Sequence, residues 1–423
     1  MRQAGAWTIL AAGLLAACGV AATPTTPSAL PPAGTDLRAT GATAAPTLDS
    51  ADTAVAADTA SATPEAAPTL PAVDAPPPGA TREFSTDFSR HSVPYAEIFS
   101  GGPPKDGIPA LDSPQYVSVS AANTWLQPQE PVVLVQVSDD ARAFPLQILM
   151  WHEIANAEIG GVPLVVTFCP LCNTAIAFER TQAGQVLDFG TTGRLRFSNL
   201  IMYDRQTETW WQQATGEAIA GEFTGARLGF YPASIIAWET YQAAYPDGLV
   251  LSRETGFDRD YGRNPYTGYD DVDRPPFLYF GPTTPDALPP VARVLTVDLN
   301  GEAAAYPYAV LEQIGVANDA VGGSEIVVFW AAGTASALDR VTVASGRDVG
   351  AATAYERLLD GQLLTFRHAD GQITDEETGS TWNVLGEATD GPLAGQALAP
   401  VVAINHFWFS WAAFRPETRI YQP

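Results

Sequence analysis

The chain has 423 residues, 46% of them hydrophobic, and carries 47 Asp and Glu against 22 Lys and Arg, a formal net charge of −25. A field of that sign repels nucleic-acid phosphates and anionic lipid surfaces, so neither is an expected partner. With 3 cysteines in all, the chain is not a disulfide-built scaffold.

Residues 1–18 read as a secretory signal: Arg2, an apolar run to Leu15, then Leu15-Ala16-Ala17-Cys18, too short to span a bilayer. The run into Cys18 resembles the lipobox of bacterial lipoproteins. That resemblance implies lipidation of Cys18, a lipid membrane as partner through the anchor, and an extracytoplasmic place for everything that follows. Residues 19–83 are Ala, Thr, Pro and Ser with scattered Asp and have almost no large apolar side chain. Such a segment cannot bury enough surface to offset its ordering entropy, which predicts a disordered tether.

The rest of the chain contains a degenerate copy of itself. Ala143-Phe-Pro145, Asn156, Gly160-Gly161 and Val165-Val166 recur 162 positions later as Ala305-Tyr-Pro307, Asn318, Gly322-Gly323 and Val327-Val328. Asp204, Thr207 and Trp211 recur as Asp375, Thr378 and Trp382, and Trp238 recurs as Trp408. Steady offsets through so many matches predict two tandem copies, 84–250 and 290–423, joined by a connecting segment 251–289. The expected fold class is α+β, two tandem pseudo-repeats of mixed strands and short helices packed as one body.

In chain order, residues 132–137 form a β-rich apolar run and predict a buried strand. Residues 146–157 follow Pro145 with Leu146, Leu149, Met150 and Ile154 at helical spacing, which predicts a helix. Residues 164–168 predict a second strand, and 173–180 a second helix. Glycine-rich 216–229 and 386–396 predict loops or hairpins. The connection, with Tyr261-Gly-Arg-Asn-Pro-Tyr266, is long enough to suggest a flap over a site.

Beyond residue 18 every sulfur lies between Met150 and Met202, and both cysteines fall in Phe168-Cys-Pro-Leu-Cys-Asn173. Position for position, Met150 meets Glu312, His152 meets Ile314, Cys169 meets Ala331 and Cys172 meets Thr334. What only the first copy carries is the candidate for function. The first copy is also six residues longer between residues 187 and 204 than the second is between 364 and 375.

Cysteines three apart at a helix start would share a face, could bridge, and would have the first thiol's pKa lowered by the helix N-terminus. Cys169 and Cys172 with His152 are therefore the candidate catalytic residues of a thiol-disulfide oxidoreductase, with Cys169 the more accessible. The same three with Met202 form a soft ligand set for copper(I), or for zinc with a water or carboxylate. Either chemistry calls for a redox or metal-delivery partner. A static disulfide closing so small a loop would add little stability. The alternative reading is a non-catalytic ligand-binding or scaffold module with a structural cysteine pair, its cleft lined from 194–212 and 252–280.

At Ile98-Phe-Ser-Gly-Gly-Pro-Pro-Lys-Asp-Gly-Ile-Pro109, Phe144-Pro-Leu-Gln-Ile-Leu-Met-Trp-His-Glu153, Thr167-Phe-Cys-Pro-Leu-Cys-Asn173, Met202-Tyr-Asp-Arg-Gln-Thr-Glu208 and Tyr261-Gly-Arg-Asn-Pro-Tyr266 the chain resembles the family catalogued as domain of unknown function 3179. The resemblance implies an extracytoplasmic protein and assigns no activity.

Overall fold

The computed structural model describes residues 74–423, and this span is mostly β. The α+β expectation is overturned: among the described residues helix is confined to six α-helices of four to seven residues and three 3-10 turns of three. Two of the expected helical stretches show why. The helix after Pro145 runs only over Leu146–His152, because Glu153 turns left-handed at φ 59° and Ile154–Ile159 continues as a strand. Residues 173–180 form no helix at all; Thr174–Glu179 is a strand between Val162–Cys169 and Phe230–Tyr231. Short apolar runs buried on both faces carry no period that separates strand from helix.

The first half holds three larger sheets and the two-stranded hairpin Thr181–Gln182/Gln185–Val186. One orders Ser234–Ala237, Pro131–Val137, Asp140–Pro145, Leu249–Leu251 and Tyr116–Ser118, with a single parallel pairing between Asp140–Pro145 and Leu249–Leu251. The second contains Ile154–Ile159, Val162–Cys169 and Thr174–Glu179 in antiparallel succession. The third runs Ile98–Ser100, Phe189–Arg196, Asn199–Asp204, Trp210–Gln212, Glu217–Ala220.

The second half repeats these strand orders and directions with one edge strand fewer in each larger sheet. Ala403–Phe407, Arg293–Leu299, Glu302–Pro307 and Arg419–Ile420 again include one parallel pairing, at the last position. Local contacts recur as well. Trp211 donates to Asp204 and Trp382 to Asp375, each at 2.9 Å, and Asn156 and Asn318 each bond both ways to the backbone of a phenylalanine, Phe189 or Phe366.

The halves interlock. Ala403–Phe407 packs against Thr174–Glu179, and Ser234–Ala237 packs against Ala351–Glu356. One apolar core accordingly takes Phe144, Phe168 and Val166 from the first half with Leu338, Phe407 and Phe409 from the second. The packed body also reaches back into the stretch read as tether: Ala80 is fully buried beside Phe84, and Glu83 pairs with Arg194 at 3.0 Å. Cys18 and the earlier tether lie outside the described residues.

Candidate functional site

Val162–Cys169 ends on its cysteine, Pro170–Cys172 makes one tight 3-10 turn, Asn173 turns left-handed at φ 51°, and Thr174–Glu179 runs back. Proline after Cys169 suits this turn because it needs no donor there. The turn brings the Sγ atoms of Cys169 and Cys172 to 3.1 Å as free thiols, both buried. Across them lies the tip of the hairpin Phe189–Arg196/Asn199–Asp204, where Phe197 and Ser198 both have positive φ, at 54° and 65°. That is the twist a two-residue hairpin demands, carried here without glycine. The Ser198 carbonyl accepts from the Cys172 thiol at 3.4 Å, and Asn199 Nδ2 donates to Cys172 Sγ at 3.4 Å. Asn199 is itself held by Gln213, Gln212 and the Ala214 N–H.

The expected helix dipole is absent, and the Cys169 thiol moves the other way. Burial, the Cys172 sulfur and the Glu153 charge hold its pKa well above the usual thiol range. Cys169 is only 2% exposed and Cys172 not at all, so the expected accessibility of Cys169 is not found either.

Glu153 is the residue that reading for sulfur overlooked. Its backbone carbonyl accepts from the Phe168 N–H at 2.8 Å, which sets it beside Cys169. Burial pushes its carboxyl pKa up to about 8. It ends its helix at φ 59°, ψ −27°, where the second half ends the equivalent helix with Gly315 at φ 70°, ψ −29°. A left-handed conformation costs a non-glycine residue about 1–2 kcal/mol. A strained, desolvated acid thus stands where glycine serves at the equivalent helix end of the second half. The signal was in the sequence, since position 315 lies at the same 162-residue offset.

His152 sets its ring against Phe257 and Tyr261. Its Nδ1 meets the Pro109 carbonyl at 2.7 Å, so Nδ1 carries the proton; Nε2 then accepts from the Tyr261 hydroxyl at 2.6 Å, and Tyr261 in turn accepts from Thr255. Burial lowers the His152 pKa, and both ring nitrogens are committed. Met202 is fully buried in the apolar cluster that holds both cysteines. No group of three or more His, Cys, Asp or Glu placed to hold a metal ion occurs among the described residues.

The connection closes over the turn. Tyr269 donates to the Leu171 carbonyl at 2.9 Å, and Ser198 Oγ donates to the Phe277 carbonyl at 2.8 Å. Tyr266 lies near Glu153 and Cys169; burial, then their charges, raise its phenol pKa. The second half anchors this strap. Asn264 donates from its backbone to the Val341 carbonyl and from its side chain to the Arg340 carbonyl, while buried Asp270 holds Arg293, Arg347 and Ser336. The second half also sends in His406, whose Nδ1 meets Thr174 Oγ1 at 2.8 Å and whose pKa burial drives down to about 3.

A strand-built body in two matching halves, with a buried dithiol in one of them, defines the class. The chain belongs to the family described as protein of unknown function (DUF3179), whose model matches residues 105–418. No curated protein and no solved structure matches the chain.

Proposed function

We propose that Cys169 and Cys172 form a reversible dithiol–disulfide site in which Glu153 handles the proton. The observation that carries the reading is the pairing of two sulfurs 3.1 Å apart with a neighbouring buried acid held near 8 at a strained backbone position. Oxidation by an incoming disulfide needs a base, because a buried thiol does not ionise readily. Glu153 carboxylate takes the Cys169 proton as its sulfur attacks, which forms a mixed disulfide and expels one thiolate. Cys172 sulfur then attacks Cys169 sulfur, the intramolecular bond closes and the second thiolate leaves. Two electrons pass to the incoming disulfide, and the two thiol protons leave with the two products. Soft-metal handling has less support, because His152 spends both nitrogens elsewhere.

Access to Cys169 requires the 264–280 strap to lift. The body is read as lipid-anchored through Cys18 and extracytoplasmic, where a disulfide partner is the natural co-reactant. The test equilibrates full-length protein in glutathione buffers of graded potential and counts thiols by mass spectrometry. A two-electron, two-thiol transition is expected, with its oxidation rate lowered at least tenfold in Glu153→Gln. Thiols that stay reduced at every potential and resist alkylation in the folded protein would return the pair to a structural role and the function to ligand binding.

A further inference from the structure

A second site lies on the far side of the helix Leu146–His152. An open cleft of about 520 Å³ is walled by Trp125, Gln127 and Glu130 of the first half, Arg253 and Tyr261 of the connection, and Thr342 of the second half. Six well-buried arginines of this acidic chain, Arg142, Arg180, Arg194, Arg196, Arg293 and Arg357, each meet a carboxylate directly. Half-buried Arg253 meets none within salt-bridge distance among the described residues.

Its partner is neutral. Arg253 Nε and Nη2 both donate to Gln147 Oε1, with Nε at 2.9 Å. Gln147 Nε2 passes on to Glu130 Oε2 at 2.6 Å, and the Gln127 N–H takes the other Glu130 oxygen at 3.0 Å. Glu130 is 3% exposed, burial raises its pKa, and it faces Arg253 through Gln147 rather than in direct contact. The guanidinium lies over the Trp125 ring at 4.6 Å, which fixes its plane. A guanidinium has five N–H groups in a rigid fork. Two are spent on Gln147, and the edge formed by Nη1 and Nη2 remains, a match for two parallel oxygens. Gly262 lies against the Gln147 side of the fork, where a Cβ would sit in ordinary contact 3.5 Å from Nη2 and 3.8 Å from Gln147 Oε1. The rim pair Asp260 and Arg263 is well exposed, at 67% and 64%, and leaves the guanidinium uncovered.

We infer that this cleft binds a small organic carboxylate, held end-on by Arg253 over Trp125, with the Tyr261 hydroxyl at its wall. The site is independent of the thiol chemistry and survives its failure. Inorganic phosphate offers similar oxygens in tetrahedral array, and the experiment separates the two. Full-length protein is titrated with succinate and, separately, with phosphate, following tryptophan fluorescence and calorimetric heat. Succinate is expected to bind, and Arg253→Gln to weaken it at least tenfold. Arg253→Lys keeps the charge and loses the two-pronged edge, so it should also weaken succinate severalfold while melting like the parent. Arg367→Gln, exposed on the second half, serves as control. Binding of phosphate without succinate, silence from both anions, or unchanged succinate affinity in both Arg253 variants would each overturn the proposal.

Discussion

The two halves share strand order, a Trp–Asp contact and a helix stop, and they part company at two connections. After Cys169 the first half turns back within residues 170–173, whereas after Ala331 the second half wanders through 332–350 before Ala351–Glu356 begins. At the next hairpin the difference reverses: Phe189–Arg196/Asn199–Asp204 is long and its tip reaches the thiols, while Phe366–Ala369/Gln372–Asp375 is short. The tight turn sets two sulfurs side by side, and the long loop of the other half grips the strap that covers them. One scaffold thus sets the paired thiols in one half and grips the covering strap with the other, and loop length differs at both places.

The comparison breaks most sharply at Asp270, the strap's anchor in the second half. Asp270→Ala leaves Arg293 and Arg347 without their shared buried carboxylate, which should cost about 3–5 kcal/mol. Thermal melting checks the loss, and alkylation of Cys169 should accelerate because the strap loosens. A variant that melts like the parent would mean that the strap is held otherwise.

The helix stop gives the next largest effect, with opposite signs in the two halves. Glu153→Gly relieves strain and a buried acid and should stabilise by about 1 kcal/mol net of the extra chain entropy of glycine. Gly315→Ala should destabilise by at least as much, since its Cβ would lie 2.4 Å from the His368 ring at a positive φ. Denaturant titration of both variants settles the contrast, and a destabilised Glu153→Gly would show that the acid serves packing.

The two buried ionisable groups should shape opposite limbs of the pH profile. Glu153 holds its proton up to about 8 when folded against an ordinary 4.5, so its contribution to stability declines as pH rises between those values. His406 stays neutral down to about 3 against an ordinary 6.5, so stability falls as pH drops below 6.5. Melting temperature should decline less between pH 4.5 and 8 in Glu153→Gln, and less on acidification below pH 6.5 in His406→Gln. The smallest effect is expected at the exposed Arg227–Glu217 pair, where Arg227→Gln should change stability by less than about 0.5 kcal/mol.

The repeat offset, the strands at 132–137 and 164–168, and the six extra residues before Asp204 could all be read from the chain itself. The fold class could not. Ile154 and Ile176 sit in runs apolar on both faces, and only tertiary pairing makes these runs strands. The match of Cys172 with Thr334 assumed turns of equal length, and the 332–350 loop breaks that register, although Cys169 and Ala331 do end equivalent strands. His152 drew notice because it disappears in the second copy, yet its neighbour Glu153 disappears at the same step and is the one whose charge acts on Cys169. Burial of the thiols depends on residues from three distant segments, and no local pattern encodes such convergence.

His152 and Glu153 are joined by one peptide bond, and the left-handed turn at Glu153 sends them to different chambers. The imidazole holds the tyrosine of the open cleft, and the carboxyl attends the closed dithiol. The proposed carboxylate site and the proposed dithiol site consequently adjoin across one peptide bond. Thermodynamic linkage then makes the traffic reciprocal: whatever factor a carboxylate in the cleft applies to the thiol–disulfide balance, oxidation of the thiols must apply to carboxylate affinity. A redox titration run with and without succinate measures that factor from one side, and a succinate titration of the oxidised and reduced forms measures it from the other.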